Sequence, residues 1–512
     1  MDRIDKLLRC GEIEAAWHKA DGLLEVEPTG AMCERLLLYL LPLTFHYGYP
    51  NKMEELIGAY NSRLKSSTSA RPKDRAFIKA IRLVFTALTD QSNEGKIAVQ
   101  LEAIDWSKLT NNSILQTFRF NIENHRQNRK SANEAIVCAR RSANNFYDKA
   151  LIAAALCKHE AKENRFYNSL SIAKRSLKLL KTDNSLRAGF LKAQLLGHIG
   201  KINQALGNLI LAEEYFYRMN RRLGQYRSFA PGQQYLGNLT YGAKTRRTSP
   251  TLLRTLIIKE IRSLSTKWAY QRNRLIHAFF SLNALAIDRR DFKESWSILN
   301  SIRRLLPTVD QDELTAYYYR DLAKVLIYEG GGIKRNPGMV EAILLKAESS
   351  FSKLGKNGWH GKATTLLIKG EWLLQKKKYD SLMICIRQSS DMALLLQDHH
   401  LLAYPTLLKS FLLLNSDLNN KGAIYRAIQS EIHTIRHPDL LFRILSNLYL
   451  YSWDLPDQLH TTSRLIKEIQ ALQTSFPKAI FQKLWKEHIS SKVFSRLLPN
   501  SALCNTEPQR LC

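Results

Sequence analysis

Apolar residues recur at helical spacing along almost the whole chain. Intervals of three and four residues place side chains on one face of a helix. No segment shows the alternation of apolar and polar positions that is typical of a half-buried strand. Short turn signals interrupt the pattern, for example at Gly11, Pro28, Gly200 and Asn419–Gly422. The pattern therefore predicts an all-α chain of helices of roughly 12–20 residues joined by short turns.

A second pattern recurs in the second helix of successive helix pairs. A small or medium-sized apolar residue is followed by another four positions later, and by a third three positions after that. Helix geometry places all three on one face, where small side chains let a neighbouring helix approach closely. The sets are Ala16, Ala20 and Leu23; Ala135, Ala139 and Ser142; Ser169, Ala173 and Ser176; Ala205, Leu209 and Ala212; Ser295, Leu299 and Ile302; Val340, Leu344 and Ala347; Leu382, Ile386 and Ser389; and Ala423, Ala427 and Ser430.

The sets recur with a period that is typical of helical repeats. Ser169 follows Ala135 by 34 residues, and Leu382 follows Val340 by 42. In period and in small-residue pattern the chain resembles tetratricopeptide repeats. Gly370 stands where that family prefers a glycine in the first helix, although the family's Trp, Tyr and Phe positions are mostly filled by other residues. The resemblance implies a right-handed superhelical array of antiparallel helix pairs. It also implies a role inside larger complexes or as a peptide-responsive regulator.

The repeat period is interrupted in the middle of the chain. Between Ala212 and Ser295 no set fits, and the segment from Gly224 to Pro250 is rich in Gly and Pro. Loops of that length inside compact domains are commonly functional or disordered. We therefore expect an N-terminal array over 1–222, a loop insertion over 223–250 and a C-terminal array over 251–497. An amphipathic helix caps the second array, and 498–512 form a flexible tail.

The charge of the chain narrows the choice of partner. The net charge is +30, and residues 51–300 carry 43 basic and 19 acidic side chains. A field of that sign and size attracts polyanions such as nucleic acid, an anionic membrane surface or an acidic protein. The charge alone does not choose among them.

The most basic segment is also rich in aromatic residues. Between Glu214 and Glu260 the chain runs 45 residues without an acidic side chain. Arginine and lysine there could contact phosphates or carboxylates, and tyrosine could stack on bases. The alternative is a flexible insertion beside helices that bury part of these aromatics. The candidate partner-binding residues are Arg218, Arg221, Arg222, Tyr226, Arg227, Tyr235, Tyr241, Lys244, Arg246 and Arg247.

The search for catalytic motifs is mostly negative. His159 has no second histidine four positions later, so the helical zinc-protease motif is absent. The pair His399–His400 points in two directions on a helix, which disfavours joint chelation. The glycine-rich segment 330–338 follows a predicted helix and lacks the phosphate-loop pattern. We expect no enzymatic activity, cofactor or metal, although a site assembled from distant residues would escape such a search.

Cysteine use and hydropathy favour a cytoplasmic protein. The seven cysteines are scattered and form no C-x-x-C motif, as in reducing compartments. The N-terminus has no signal-peptide pattern, and the most apolar run, Leu36–Phe45, is too short to span a bilayer. We therefore expect no membrane insertion.

Two classes of function remain open. The first is a non-enzymatic scaffold or regulatory adaptor that binds a protein or an acidic peptide through a basic concave surface, as part of a multi-subunit complex. The alternative is direct, sequence-nonspecific binding of DNA or RNA through the basic first array and residues 215–259. Salt dependence of binding separates them.

Overall fold

In the computed structural model the description covers residues 2–10, 12–26, 31–47, 50–66, 71–89, 94–223, 272–308, 312–329, 337–415, 421–435, 438–453, 458–475 and 478–486, with isolated positions at 251–262, 455 and 489. Within these residues the regular secondary structure is helical throughout, which confirms the all-α prediction. The helices group into two compact units: the first ends with the helix Asp312–Tyr328, and the second begins with the helix Pro337–Lys353.

The first unit begins with six helices and continues with helix pairs. The first six are α1 (Asp2–Cys10), α2 (Ile13–Val26), α3 (Ala31–Tyr47), α4 (Pro50–Ser66), α5 (Pro72–Thr89) and α6 (Glu94–Glu102). The pairs are α7 (Ser113–His125) with α8 (Arg129–Ser142), α9 (Phe146–Lys162) with α10 (Phe166–Leu179), α11 (Leu186–Ala205) with α12 (Leu209–Leu223), and α13 (Arg272–Asp288) with α14 (Phe292–Leu305). The last helix of the unit, α15 (Asp312–Tyr328), packs against both α13 and α14.

The second unit has the same construction. Its helices are α16 (Pro337–Lys353), α17 (Trp359–Gln375), α18 (Tyr379–Leu395), α19 (His399–Asn415), α20 (Lys421–Glu431), α21 (Pro438–Ser452), α22 (Gln458–Ala471) and α23 (Lys478–Trp485). Consecutive helices from α16 to α20 pack against each other, as do α21 and α22, and the first helices α17, α19 and α21 also pack side by side. The paired architecture predicted from the repeat pattern is therefore confirmed within each unit.

One turn geometry joins the two helices of successive pairs. Three residues separate the helices, and the middle one has a positive φ: Gln127 at 61°, Asn164 at 60°, Gly207 at 75°, Arg290 at 58° and Lys377 at 56°. The following amide closes the turn on the first helix, as where Asn128 N donates to Glu123 O at 2.9 Å. This left-handed helix end satisfies carbonyls that the helix leaves unpaired. Because the same turn recurs, the two helices of each of these pairs are joined with the same antiparallel geometry.

The small-residue pattern marks the buried faces of the second helices. In α10, Ser169, Ala173 and Ser176 are fully buried. The equivalent sets in α16 and α18 are buried as well, and no residue in them is more than 1% exposed. The serines also bond across the pair: Ser169 Oγ donates to Cys157 O at 2.6 Å, and Ser389 Oγ donates to Ala363 O at 3.3 Å. A buried hydroxyl at these positions thus ties the second helix to a first helix.

Two of the predicted sets are wrong in register. Ala205 is the last residue of α11, so it does not share a helix with Ala212; the buried face of α12 instead carries Ala212, Phe216 and Met219. In α20 the buried residues are Ile424, Tyr425 and Ile428, whereas the predicted Ala423 and Ser430 are exposed.

Gly200 explains the first of these errors. It was interpreted as a turn signal, but it lies inside α11, where a Cβ atom would come within 2.3 Å of Phe216 Cε1. The glycine allows α11 and α12 to approach closely, and the turn falls later, at Gly207. The described residues of the N-terminal array predicted over 1–222 are largely helical. The loop predicted over 223–250 overlaps α12 at Leu223, and its other residues, 224–250, lie outside the described residues, so the loop stays a prediction.

Candidate binding groove of the first unit

The first unit contains a cavity of about 460 Å³ between its N-terminal helices and its helix pairs. One wall comes from α3, α5 and α6, and the other from α7, α9 and α11. The first helices α7, α9 and α11 pack side by side, and α3 contacts α11, so the two walls belong to one packed structure. The apolar part of the lining includes Leu43, Val84, Ala87, Ile97, Phe118, Ile122, Leu151, Phe190 and Leu191.

The polar part of the lining is basic. Four cationic side chains line the cavity: Arg126, Lys158, Lys162 and Arg187. The other polar lining residues are Asn121, Asn124, His125 and Gln194, and none of the described lining residues is acidic. An apolar floor with a cationic rim suits a ligand that carries both acidic and apolar groups. Attraction in such a concave site is stronger than on an open surface because the walls exclude much of the water.

Lys158 and Lys162 form the centre of the basic rim. They stand four residues apart on α9 and therefore on the same face of the helix. Desolvation by the surrounding walls lowers the pKa of both side chains, and the charge of Lys162 lowers the pKa of Lys158 further. Neither lysine forms an ion pair with any residue in the described part of the chain. Their charges are therefore available to an anionic ligand.

Lys201 extends this basic group onto α11. Its side chain is exposed, desolvation lowers its pKa, and the charge of Lys158 lowers it further. The same charge contributes to lowering the pKa of His198 to about 4, after the larger effect of burial. Because α9 and α11 pack side by side, Lys201 and His198 lie close enough to Lys158 for its charge to act on both.

Arg187 is held in place by aromatic rings. Its guanidinium carbon lies 4.1 Å from the ring centroid of Tyr147 on α9 and 5.6 Å from that of Tyr39 on α3. The N-terminal helices are fixed to the same end of α11, because Asp5 Oδ1 accepts a hydrogen bond from Leu186 N at 3.0 Å and another from the Tyr39 hydroxyl. These contacts position one cation of the cavity wall between two helices.

A serine–histidine contact beside the groove is structural. Ser169 Oγ lies 3.1 Å from His198 Nε2, but the serine is fully buried and donates its hydrogen to Cys157 O at 2.6 Å. Cys157 O can only accept, so His198 Nε2 carries a hydrogen that it donates to these oxygens. Burial raises the pKa of the Cys157 thiol to about 11. A substrate cannot reach the serine oxygen, and the thiol stays protonated at neutral pH.

Only part of the predicted basic site lies in the described region. Arg218, Arg221 and Arg222 are on the last two turns of α12; Arg218 pairs with Glu214 at 2.5 Å and lies 5.6 Å from the ring centroid of Tyr215. None of these three residues lines the cavity, although the charge of Arg222 adds to the larger effect of burial in lowering the pKa of Lys192 on α11. The remaining predicted residues lie outside the described residues: Tyr226, Arg227, Tyr235, Tyr241, Lys244, Arg246 and Arg247.

Sequence reasoning missed the basic residues of the groove. The basic pairs Arg140–Arg141 and Lys174–Arg175 stand out in the sequence, but they are exposed on the second helices α8 and α10 and line no part of the cavity. The available signal was the i, i+4 spacing of Lys158 and Lys162. This spacing predicts a basic site only once α9, the first helix of its pair, is known to face the cavity.

Among the described residues, no group of three or more His, Cys, Asp and Glu side chains is arranged to hold a metal ion. Within the same residues no helix is both long and apolar enough to cross a membrane.

The paired helices and their buried small-residue faces define a helical-repeat protein of tetratricopeptide-like architecture. No protein-family profile and no curated protein matches the chain. Solved structures similar to it include a Rap protein complexed with competence and sporulation factor (12% identity, TM-score 0.41, covering 81% of this chain and all of that one). Yeast Tom70 is 12% identical with a TM-score of 0.39, over 96% of this chain and 98% of that one. Naa15/Naa10 bound to HypK-THB is 13% identical with a TM-score of 0.24, over 98% and 86%.

Proposed function

We propose that the chain is a non-enzymatic adaptor or regulator, which binds an acidic segment of a partner protein in the basic groove of the first unit. The observation that carries this proposal is the lining of the cavity, which combines apolar side chains with Arg126, Lys158, Lys162 and Arg187 and has no acidic member among its described residues. Hydrogen bonds between charged groups are each worth about 1.5–3 kcal/mol. Acidic residues flanked by apolar ones match both parts of the lining.

The acid-free stretch is part of the same proposal. Arg218, Arg221 and Arg222 lie at the end of α12, and the effect of Arg222 on Lys192 brings that end close to the basic residues of α11. Arg227, Lys244, Arg246, Arg247, Tyr226, Tyr235 and Tyr241 follow in the sequence. We assign them a supporting role, in which they extend the positive surface that a cytoplasmic partner, within a larger complex, meets.

The experiment measures binding of a fluorescein-labelled, glutamate- and leucine-rich decapeptide by anisotropy. The test variant is Lys158→Gln/Lys162→Gln. The matched control is Lys174→Gln/Lys178→Gln, which removes the same charge at the same i, i+4 spacing from the exposed side of α10. We expect the test variant to weaken binding by at least about tenfold, as for the loss of one charge-assisted contact, and the control to bind like the wild type.

Three results would contradict the proposal: no binding of the peptide at low salt, equal binding by the test variant, or equal weakening by the control. A single-stranded oligonucleotide of the same length serves as the competing ligand. If it binds more tightly than the peptide and its affinity falls steeply with salt, nucleic-acid binding replaces the adaptor function. A further variant, with Arg222, Arg227, Lys244, Arg246 and Arg247 changed to Gln, tests the stretch separately; unchanged binding would show that it makes no contact.

A further inference from the structure

A stripe of polar side chains on α11 extends beyond the cavity. Its members are seven residues, or about two helical turns, apart, and they therefore share one face of the helix. They are Arg187, Gln194 and Lys201. Arg187 and Gln194 line the cavity, so Lys201, which is exposed, projects from the same side of α11. Leu151 and Lys158 form the corresponding stripe on α9, and both of them line the cavity.

The ends of the first helices show which residues stand at the same level. The helices α7, α9 and α11 end in the same left-handed turn, in which the closing amide lies 2.9, 2.8 and 2.7 Å from its carbonyl partner. These three helices also pack side by side, α7 on α9 and α9 on α11. The residues six positions before the positive-φ residue of each turn therefore form a row across the groove, the polar row: Asn121, Lys158 and Lys201.

The polar row is cationic at two of its three positions. Asn121 offers an uncharged amide, whereas Lys158 and Lys201 form no ion pair with any residue in the described part of the chain. Lys162, one turn after Lys158, adds a second cation at the middle of the row. The charge of Lys158 also contributes to lowering the pKa of Lys201, after the larger effect of desolvation. Acidic groups are therefore favoured opposite α9 and α11, but not opposite α7.

The spacing of the polar row favours one conformation of the bound segment. Neighbouring packed helices lie about 8–10 Å apart. Side chains three positions apart in a polyproline II segment share a face and are about 9 Å apart, whereas those on one face of a β-strand are only about 6.6–6.8 Å apart. A helix is roughly 10–12 Å across and would occupy more than about 1200 Å³ between α7 and α11. The cavity holds about 460 Å³, which is far less.

We infer that the partner segment crosses α7, α9 and α11 in the polyproline II conformation and carries two acidic residues, three positions apart, that bind Lys158 and Lys201. This inference rests on the proposed function and adds to it the conformation of the segment and the spacing of its acidic residues. The next position on the same face of the segment meets Asn121, and an uncharged hydrogen-bonding side chain suits it. The recognised pattern is therefore acidic-x-x-acidic-x-x-polar, in one of the two chain directions.

The probes are fluorescein-labelled peptides of one composition, with two glutamates in a proline–serine background that favours polyproline II. The glutamates are one, two or three positions apart, so the net charge is constant and only the spacing changes. We expect the peptide with spacing three to bind about three- to tenfold more tightly than the others, as for one additional charge contact at a partly exposed site. A peptide with glutamates seven positions apart in an alanine-rich background represents a helical segment, since seven residues rise about 10.5 Å along a helix.

Lys201→Gln assigns the spacing preference to a side chain. This variant is expected to bind the peptide with spacing three no more tightly than the peptide with spacing two. The matched control is Lys149→Gln, because Lys149 is an exposed lysine of α9, nine residues before Lys158 and on the opposite face. The control should keep the full preference. Far-ultraviolet circular dichroism and melting curves show whether each variant folds.

A second variant adds a charge to the polar row and removes none. Asn121→Lys places a cation at the third position of the row. A peptide with three glutamates at successive spacings of three should bind this variant about three- to tenfold more tightly than it binds the wild type. A peptide of the same charge, with the third glutamate next to the second, should gain less. This variant decides the question if Lys201→Gln does not fold.

Failure of the inference and failure of the proposed function give different results. If spacing has no effect, if the helical peptide binds best, if the preference persists in Lys201→Gln, or if Asn121→Lys gives no gain, the polar row does not set the spacing. The acidic site then still stands, provided that Lys158→Gln/Lys162→Gln weakens binding of every peptide. If no peptide binds at low salt, or if Lys158→Gln/Lys162→Gln leaves all affinities unchanged, the proposed function itself is wrong.

Discussion

The close contact between α11 and α12 allows a stringent test of the packing. Gly200 lies within α11, opposite the ring of Phe216, and an added Cβ would be 2.3 Å from Cε1 and 2.5 Å from Cδ1. Ordinary carbon contacts are about 3.5–4.0 Å. Phe216 is only 4% exposed, so its ring cannot turn into solvent. Gly200→Ala must therefore push the two helices apart or strain the ring.

The expected size follows from two opposing effects. Overpacking a buried contact costs about 1–3 kcal/mol, whereas alanine in place of glycine favours the helix by about 0.5–1 kcal/mol. The net destabilisation is then about 1–2 kcal/mol, which lowers the melting temperature of a unit of this size by roughly 1.5–3 °C. Gly58 in α4 is the matched control, because nothing lies within 4 Å of its added Cβ. Gly58→Ala is expected to raise the melting temperature slightly.

Differential scanning calorimetry of the full chain measures both effects. Phe216→Leu and the double variant complete a double-mutant cycle, in which the smaller side chain makes room for the alanine methyl group. The two substitutions should be coupled by about 1 kcal/mol or more, so that Gly200→Ala costs less in the Phe216→Leu background. If Gly200→Ala melts at or above the temperature of Gly58→Ala, the close approach of α11 and α12 is wrong.

Two further predictions concern the ionisable groups of α11. Burial and the charge of Lys158 lower the pKa of His198 in the folded protein to about 4. As the pH falls, the unfolded chain therefore binds this proton first, at about pH 6.5. The free energy of unfolding decreases from there down to about pH 4. His198→Gln keeps a donor but does not titrate, and it should flatten the melting temperature between pH 7 and 4; an unchanged slope would contradict this. Lys201→Gln should stabilise the free protein slightly, by at most about 0.5 kcal/mol after solvent screening, because it removes a desolvated charge and its repulsion by Lys158. Lys174→Gln on α10 is the control and should leave the melting temperature unchanged. If both variants melt at the same temperature, the repulsion between Lys158 and Lys201 is negligible.

The helical class could be predicted from the sequence because it depends on local periodicity. The second-helix sets at Ser169, Ser295 and Ser389 were placed correctly, since small residues at that spacing suit a close helix contact. The turns were harder to predict, because Gln127 and Lys377 adopt positive φ without being glycine. Such residues carry no local turn signal; the paired helices hold them there. Gly200 shows the converse, since it is a glycine selected by packing and not by a turn.

The groove could not be predicted in the same way, because its chemistry depends on which helix faces inward. Lysine and arginine number 76 in this chain, so a basic residue by itself carries almost no information. Lys158 and Lys174 are both exposed, but only Lys158 belongs to a first helix and lines the cavity. The charge of Lys162 acts on Lys158, and that of Lys158 acts on Lys201, and none of the three lysines forms an ion pair with a described residue. Cations gathered on neighbouring first helices without acidic partners favour the groove as the binding site, which charge counting could not reveal.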